Sequence, residues 1–166
     1  MHMAQQDKKQ YRTNPWTFSA TVGLFAGLIW GSLNMLFQYL DFTNVEPAFF
    51  MKTWYVEDYF HSRGGQIVGL FWFVVLSIAA SLLYAAVLRK VRGPWMGIAY
   101  GLLWWALLYA LVGPLTGSSE SIFTLDKNSF WTSLSLYILW GVFIGYGISF
   151  EFTDEQKRAN MNHILR

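Results

Sequence analysis

Within the stretch DFTNVEPAFFMKTWYVEDYFHSRGG, residues 41–65, Glu57 and Asp58 stand four and three positions before His61. On a helix those spacings gather two carboxylates and an imidazole on one face, and both groups are ordinary ligands of a divalent cation. The same trio equally forms the solvated side of a short helix, so a metal site and a plain surface both fit the pattern. A second polar feature lies in an oily run, where Asn34 and Gln38 are one turn apart. Amides in such a place either hydrogen-bond to a neighbouring helix or border a path for a polar solute. The sequence holds no HExxH pair, no glycine loop of the phosphate-cradling kind, no nucleophile elbow and no acidic pair within an apolar run. The expectation is a protein with no catalytic residues, no cofactor and no enzymatic activity.

The elements that must position these residues are marked out by where charge is missing. Hydrophobic residues make up 54% of the chain and charged ones only 13%, a balance too apolar for an ordinary soluble domain. The 12 basic and 10 acidic residues all fall outside four windows, 16–40, 67–88, 95–115 and 130–150. Each window meets the ~20 residues that a helix rising ~1.5 Å per residue needs to cross ~30 Å of hydrocarbon. A soluble bundle would carry a charged stripe on every helix, and these windows carry none. The expected fold is therefore all-α and integral to the membrane, a bundle of four transmembrane helices with tails at 1–15 and 151–166. In the first connecting loop Pro47 suits a helix start and Gly64-Gly65 a stop, which predicts a short helix over 47–62. Its Phe49, Phe50, Trp54, Tyr55, Tyr59 and Phe60 would lie on the membrane interface or cap the bundle.

With both termini cytoplasmic, Lys8, Lys9, Arg12, Arg89, Lys90, Arg92, Lys157, Arg158 and Arg166 lie inside and only Lys52, Arg63 and Lys127 outside. That asymmetry predicts the orientation. The formal charge of +2 then reflects membrane-flanking cations rather than a nucleic-acid surface, and no nucleic-acid partner is expected. Met1 and His2 read as an appended start ahead of Met3. The first window is too long for a signal-peptide core and lacks a small-residue cleavage site, so it reads as a retained anchor. With no cysteine, disulfides and thiolate metal sites are excluded.

Small residues recur at four-residue spacing: Gly23, Gly27 and Gly31 in the first window, Gly97 and Gly101 in the third, Gly141 and Gly145 in the fourth. Glycine weakens a helix by about 1 kcal/mol relative to alanine, so these positions predict close helix packing, within the chain or between copies of it. Gly27→Leu is accordingly expected to lower the melting temperature in detergent markedly and Gly27→Ala only mildly. The segment GLFAGLIW at 23–30 matches GIAYGLLW at 97–104 in both glycines, the leucine and the tryptophan. Two tandem helical hairpins would produce that likeness, and so would a shared small alphabet. Trp30, Trp104, Trp105 and Trp140 fall near mid-depth, where an indole wants both a hole and a hydrogen-bond acceptor. The glycine faces offer such holes; a pocket for a lipid or another apolar ligand is the alternative.

The stretches NPWTFSATVGLFAGLIWG, VRGPWMGIAYGLLWWALLYALVGP and LWGVFIGYGISFEFTDE resemble the YqhR family of small membrane proteins from Bacillus and its relatives. The resemblance implies a bacterial cytoplasmic membrane and four spans, and it implies no reaction. Packing surfaces without catalytic groups lead to the expectation of an accessory, assembly or scaffold protein whose partners are the bilayer and another membrane protein or further copies of itself. A small oligomeric channel or transporter using Asn34 and Gln38 is the second expectation, and a lipid-binding protein or enzyme the third.

Overall fold

The computed structural model describes residues 14–47, 49–50, 63–88, 94–115 and 122–164, with side chains for all of these through Glu151 but Arg63 and Pro94. Among these residues the chain is helical, without strands, and four helices are long and apolar enough to cross a membrane: Pro15–Tyr39, Gly64–Val87, Trp95–Leu115 and Lys127–Glu151.

Helix α1 (Pro15–Tyr39) starts where Asn14 accepts a hydrogen bond from the Trp16 backbone N–H at 3.1 Å. Pro15 follows in the first turn, where its missing N–H costs nothing. The helix stops in a Schellman arrangement. Asp41 takes the left-handed conformation, φ 57°, while its N–H donates to the Gln38 carbonyl and that of Phe42 to the Phe37 carbonyl. The two phenylalanines meet edge to face across the turn, 6.1 Å apart.

Helix α2 spans Arg63–Val87 and α3 spans Pro94–Ala106. The third membrane span then widens into a π turn over Leu107–Val112 before a last α turn, Gly113–Leu115. Helix α4 runs without a break from Lys127 to Ile164, so the residues expected as a tail after Phe150 continue the fourth span as helix.

At the start of α4 the Asp126 carboxylate accepts from the backbone N–H groups of Asn128 and Ser129, both at 3.1 Å. Hydrogen bonds from the Ser129 side chain and backbone hold its pKa below the ordinary carboxylate value. A depressed pKa adds stability above the unfolded value of about 4 and loses it as pH falls through the folded one. Asp126→Ala is expected to cost about 1 kcal/mol at neutral pH, the usual worth of an N-cap. In thermal melts its deficit against the parent protein should shrink as pH falls below about 4.

The bundle is built from two hairpins, α1 against α2 and α3 against α4, joined chiefly where α4 meets α1 and α2. Trp16 and Trp95 are exposed at one end, and Tyr39 and Trp131 at the other, where amphipathic rings suit a membrane–water boundary.

Candidate functional site

Each hairpin closes on its glycines. A Cβ added at Gly23 would strike the Ser81 hydroxyl and lie 2.7 Å from Ile78 Cα, and one at Gly27 would lie 2.6 Å from Val74 Cα. In the second hairpin Gly97 faces Val142 Cα at 2.8 Å and Gly101 faces Ile138 Cα at 3.0 Å. The register is the same in both, with Ser77 and Ser81 taking in the first hairpin the places that Gly141 and Gly145 take in the second. Gly31 differs, since its neighbours are the movable side chains of Leu70 and Phe73. At Gly27 the obstacle is backbone, so alanine too forces the helices apart, more than a mild effect.

Between the hairpins lies an aromatic junction centred on Trp140, fully buried on α4. Its indole N–H donates to Ser77 Oγ of α2 at 2.9 Å, and Tyr100 stacks on it at 6.4 Å. Phe73, Trp104 and Tyr137 complete the surround. The Tyr100 hydroxyl donates to the Ala80 carbonyl at 2.6 Å, and the Trp105 indole N–H to Ser133 Oγ at 3.0 Å. Hydroxyls spaced along α2 and α4 thus satisfy indoles that hydrocarbon would leave unpaired.

Asn34 lies at this junction, 9% exposed. With Trp30, Phe73, Leu136, Tyr137 and Trp140 it lines a cavity of about 10 Å³, the room of one water molecule. Trp30 Nε1 and Gln38 Oε1, each one turn from Asn34 on α1, are buried with no hydrogen-bond partner among the described residues. Trp30 and Asn34 of α1 thus face a place of very small volume, while Gln38 Oε1 is buried outside its lining.

The end of the bundle bearing Tyr39 is capped by the chain that follows α1. Val45, Glu46 and Phe49 are each 1% exposed. Asn44 N–H donates to Ser129 Oγ at 3.0 Å, tying this segment to the first turn of α4. Phe49 packs on Tyr109 of the π turn, ring centroids 4.6 Å apart. Of the two placements open to the aromatic residues of 47–62, Phe49 takes the cap. Glu57, Asp58 and His61 lie outside the described residues, as does most of the short helix expected there. Among the described residues no three His, Asp or Glu side chains are grouped for a metal.

Sequence reasoning missed Tyr109 and Glu46, and left the cap as one of two placements for Phe49. The dipeptide Gly113-Pro114 at the end of an apolar run was the available signal for the π turn, because a proline in the last turn of a span leaves a carbonyl without its donor.

The family model described as "Conserved membrane protein YqhR" matches residues 2–163, almost the whole chain. The chain belongs to the YqhR family. A YqhR-family relative from Bacillus subtilis (strain 168), named "Uncharacterized protein YqhR", is 26% identical over 135 residues, covering 81% of this chain and 76% of its own length. No solved structure matches the chain. YqhR membership and the four apolar helices together make this a conserved membrane protein.

Proposed function

We propose that this YqhR-family protein is a non-enzymatic partner of another integral component of the bacterial cytoplasmic membrane, acting as accessory subunit, assembly factor or scaffold. The observation that supports it is the filled interior. The small-residue faces are spent within each hairpin, and the space between hairpins is taken by Trp140 and its neighbouring rings. The surface left to act on other molecules is the outer one, where Phe25, Phe71, Leu103, Trp131 and Leu139 are all exposed. Both termini face the cytoplasm, which places the Phe49 cap outside.

Affinity purification from native membranes in mild detergent is expected to return one stoichiometric membrane partner. Recovery of the chain with lipid alone, across several detergents, would sink this reading. The transport alternative keeps one supporting observation, the unpartnered polar atoms of Trp30 and Gln38 flanking Asn34. Solute flux into proteoliposomes that is lost on Asn34→Leu would put it ahead.

A further inference from the structure

The π turn, the end cap and the Asn34 cavity meet at Tyr109. In a π register each N–H reaches five residues back, and the Gly113 N–H does so, donating to the Leu108 carbonyl. The donor due to the Tyr109 carbonyl would then be residue 114, which is Pro114 and has no N–H. Ile122, beyond the end of the span, supplies the bond instead, its N–H 3.2 Å from the Tyr109 carbonyl. The Tyr109 ring, 1% exposed, lies 4.6 Å from Phe49 of the cap and 6.0 Å from Tyr137, which walls the cavity.

We propose that the π turn Leu107–Val112 is a latch that keeps the Trp30–Asn34 cavity closed, and that its relaxation to the α register admits water there. In the α register the Gly113 N–H returns to the Tyr109 carbonyl, four residues back, and Pro114 leaves the carbonyl of Ala110 unserved instead. Ile122 then loses its acceptor. A one-residue change of register also turns the Tyr109 ring by about 100° around the helix, away from Phe49 and Tyr137. Tyr137, freed of that contact, walls the cavity that Trp30 and Asn34 also line, where the buried Trp30 Nε1 donor and the Asn34 amide are groups that water satisfies. The closed state is stabilised by ties from outside the span, among them the Ile122 hydrogen bond and the ring contacts of Tyr109 with Phe49 and Tyr137. The latch stands whether or not the protein serves as a partner subunit.

The chain has no cysteine, so Asn34→Cys makes a single reporter. In detergent micelles its reaction with a small cationic methanethiosulfonate reagent is expected to be slow. Adding Pro114→Ala gives the α register the N–H that the Ala110 carbonyl otherwise lacks, whereas the π register, with its Tyr109 carbonyl already served by Ile122, gains little. Labelling is expected to rise about tenfold, with faster amide hydrogen exchange at Ile122. Phe49→Ala, which loosens the ring contact instead, is expected to raise labelling similarly. Ile148→Ala, a truncation of a fully buried residue near the opposite end of the bundle, is expected to leave it unchanged. The latch is overturned if Ile122 exchange stays slow in the Pro114→Ala protein. It is equally overturned if labelling stays at the parent rate in both monodisperse latch variants, or if Ile148→Ala speeds it as much.

Discussion

Gly101→Leu is expected to destabilise the protein by about 3 kcal/mol or more, read as a lowered Tm in detergent. A Cβ on Gly101 would fall on the Tyr137 carbonyl oxygen, with the carbonyl carbon at 2.9 Å and Ile138 Cα at 3.0 Å. These are backbone atoms of α4 and cannot rotate aside. The contact is reciprocal, since a Cβ on Gly141 would lie 2.5 Å from Gly101 Cα. Any side chain at either place must push two helices apart along their length. In a membrane that loss is not made good by solvent, because close contact and dispersion carry most of the association. Gly101→Ala is expected to cost about half as much, its gain in helix propensity of about 1 kcal/mol offsetting part of the separation. Gly147→Ala provides the contrast, as its new methyl would meet only the Val22 side chain at 3.5 and 3.8 Å, an ordinary contact. It should be neutral or stabilising. Equal melting of the Gly101→Leu and parent proteins, with the same oligomeric state, would mean that this face lines open space.

Trp140→Ala is expected to cost about 3–5 kcal/mol, the usual loss for a buried large aromatic side chain. The residue is fully buried, and its removal takes away the ring on which Tyr100 stacks and the N–H that holds Ser77. Because the lost Ser77 hydrogen bond and Phe73 contact run from α4 to α2, the hairpins should come apart before either one unravels. Limited proteolysis should then release two helical pairs. Trp140→Phe keeps much of the volume and drops the hydrogen bond, with an expected cost of about 1–2 kcal/mol. Should Trp140→Ala resist heat and protease like the parent, the hairpins are joined by something other than this junction.

Much of the architecture is legible without coordinates because the bilayer constrains so strongly. Charge-free windows of more than 20 residues have few alternatives to spanning helices, and Asn14-Pro15 marks the start of α1 by local hydrogen bonding alone. The ends are less legible. Asp41 in a left-handed turn replaces the glycine that usually signals a helix stop, and nothing in the residues after Phe150 distinguishes a loose tail from helix continuing to Ile164. The expected short helix over 47–62 shows the same limit, because its aromatic residues suit a membrane interface and a bundle cap equally well.

The glycine spacing, the polar pair Asn34 and Gln38 and the mid-depth tryptophans were all determined by sequence, as a set of faces that require close neighbours. Tertiary structure alone decided who those neighbours are. Period tells which residues share a face, but a glycine face accepts any backbone, from the same chain or from another, and here it accepts the next helix of its own hairpin. The partner of the Trp140 indole is Ser77, 63 residues away, a pairing that no local pattern encodes. The Tyr109 carbonyl makes the same point for the backbone: Pro114 dictates that some carbonyl in the third span lacks a donor, and only the fold brings Ile122 to it.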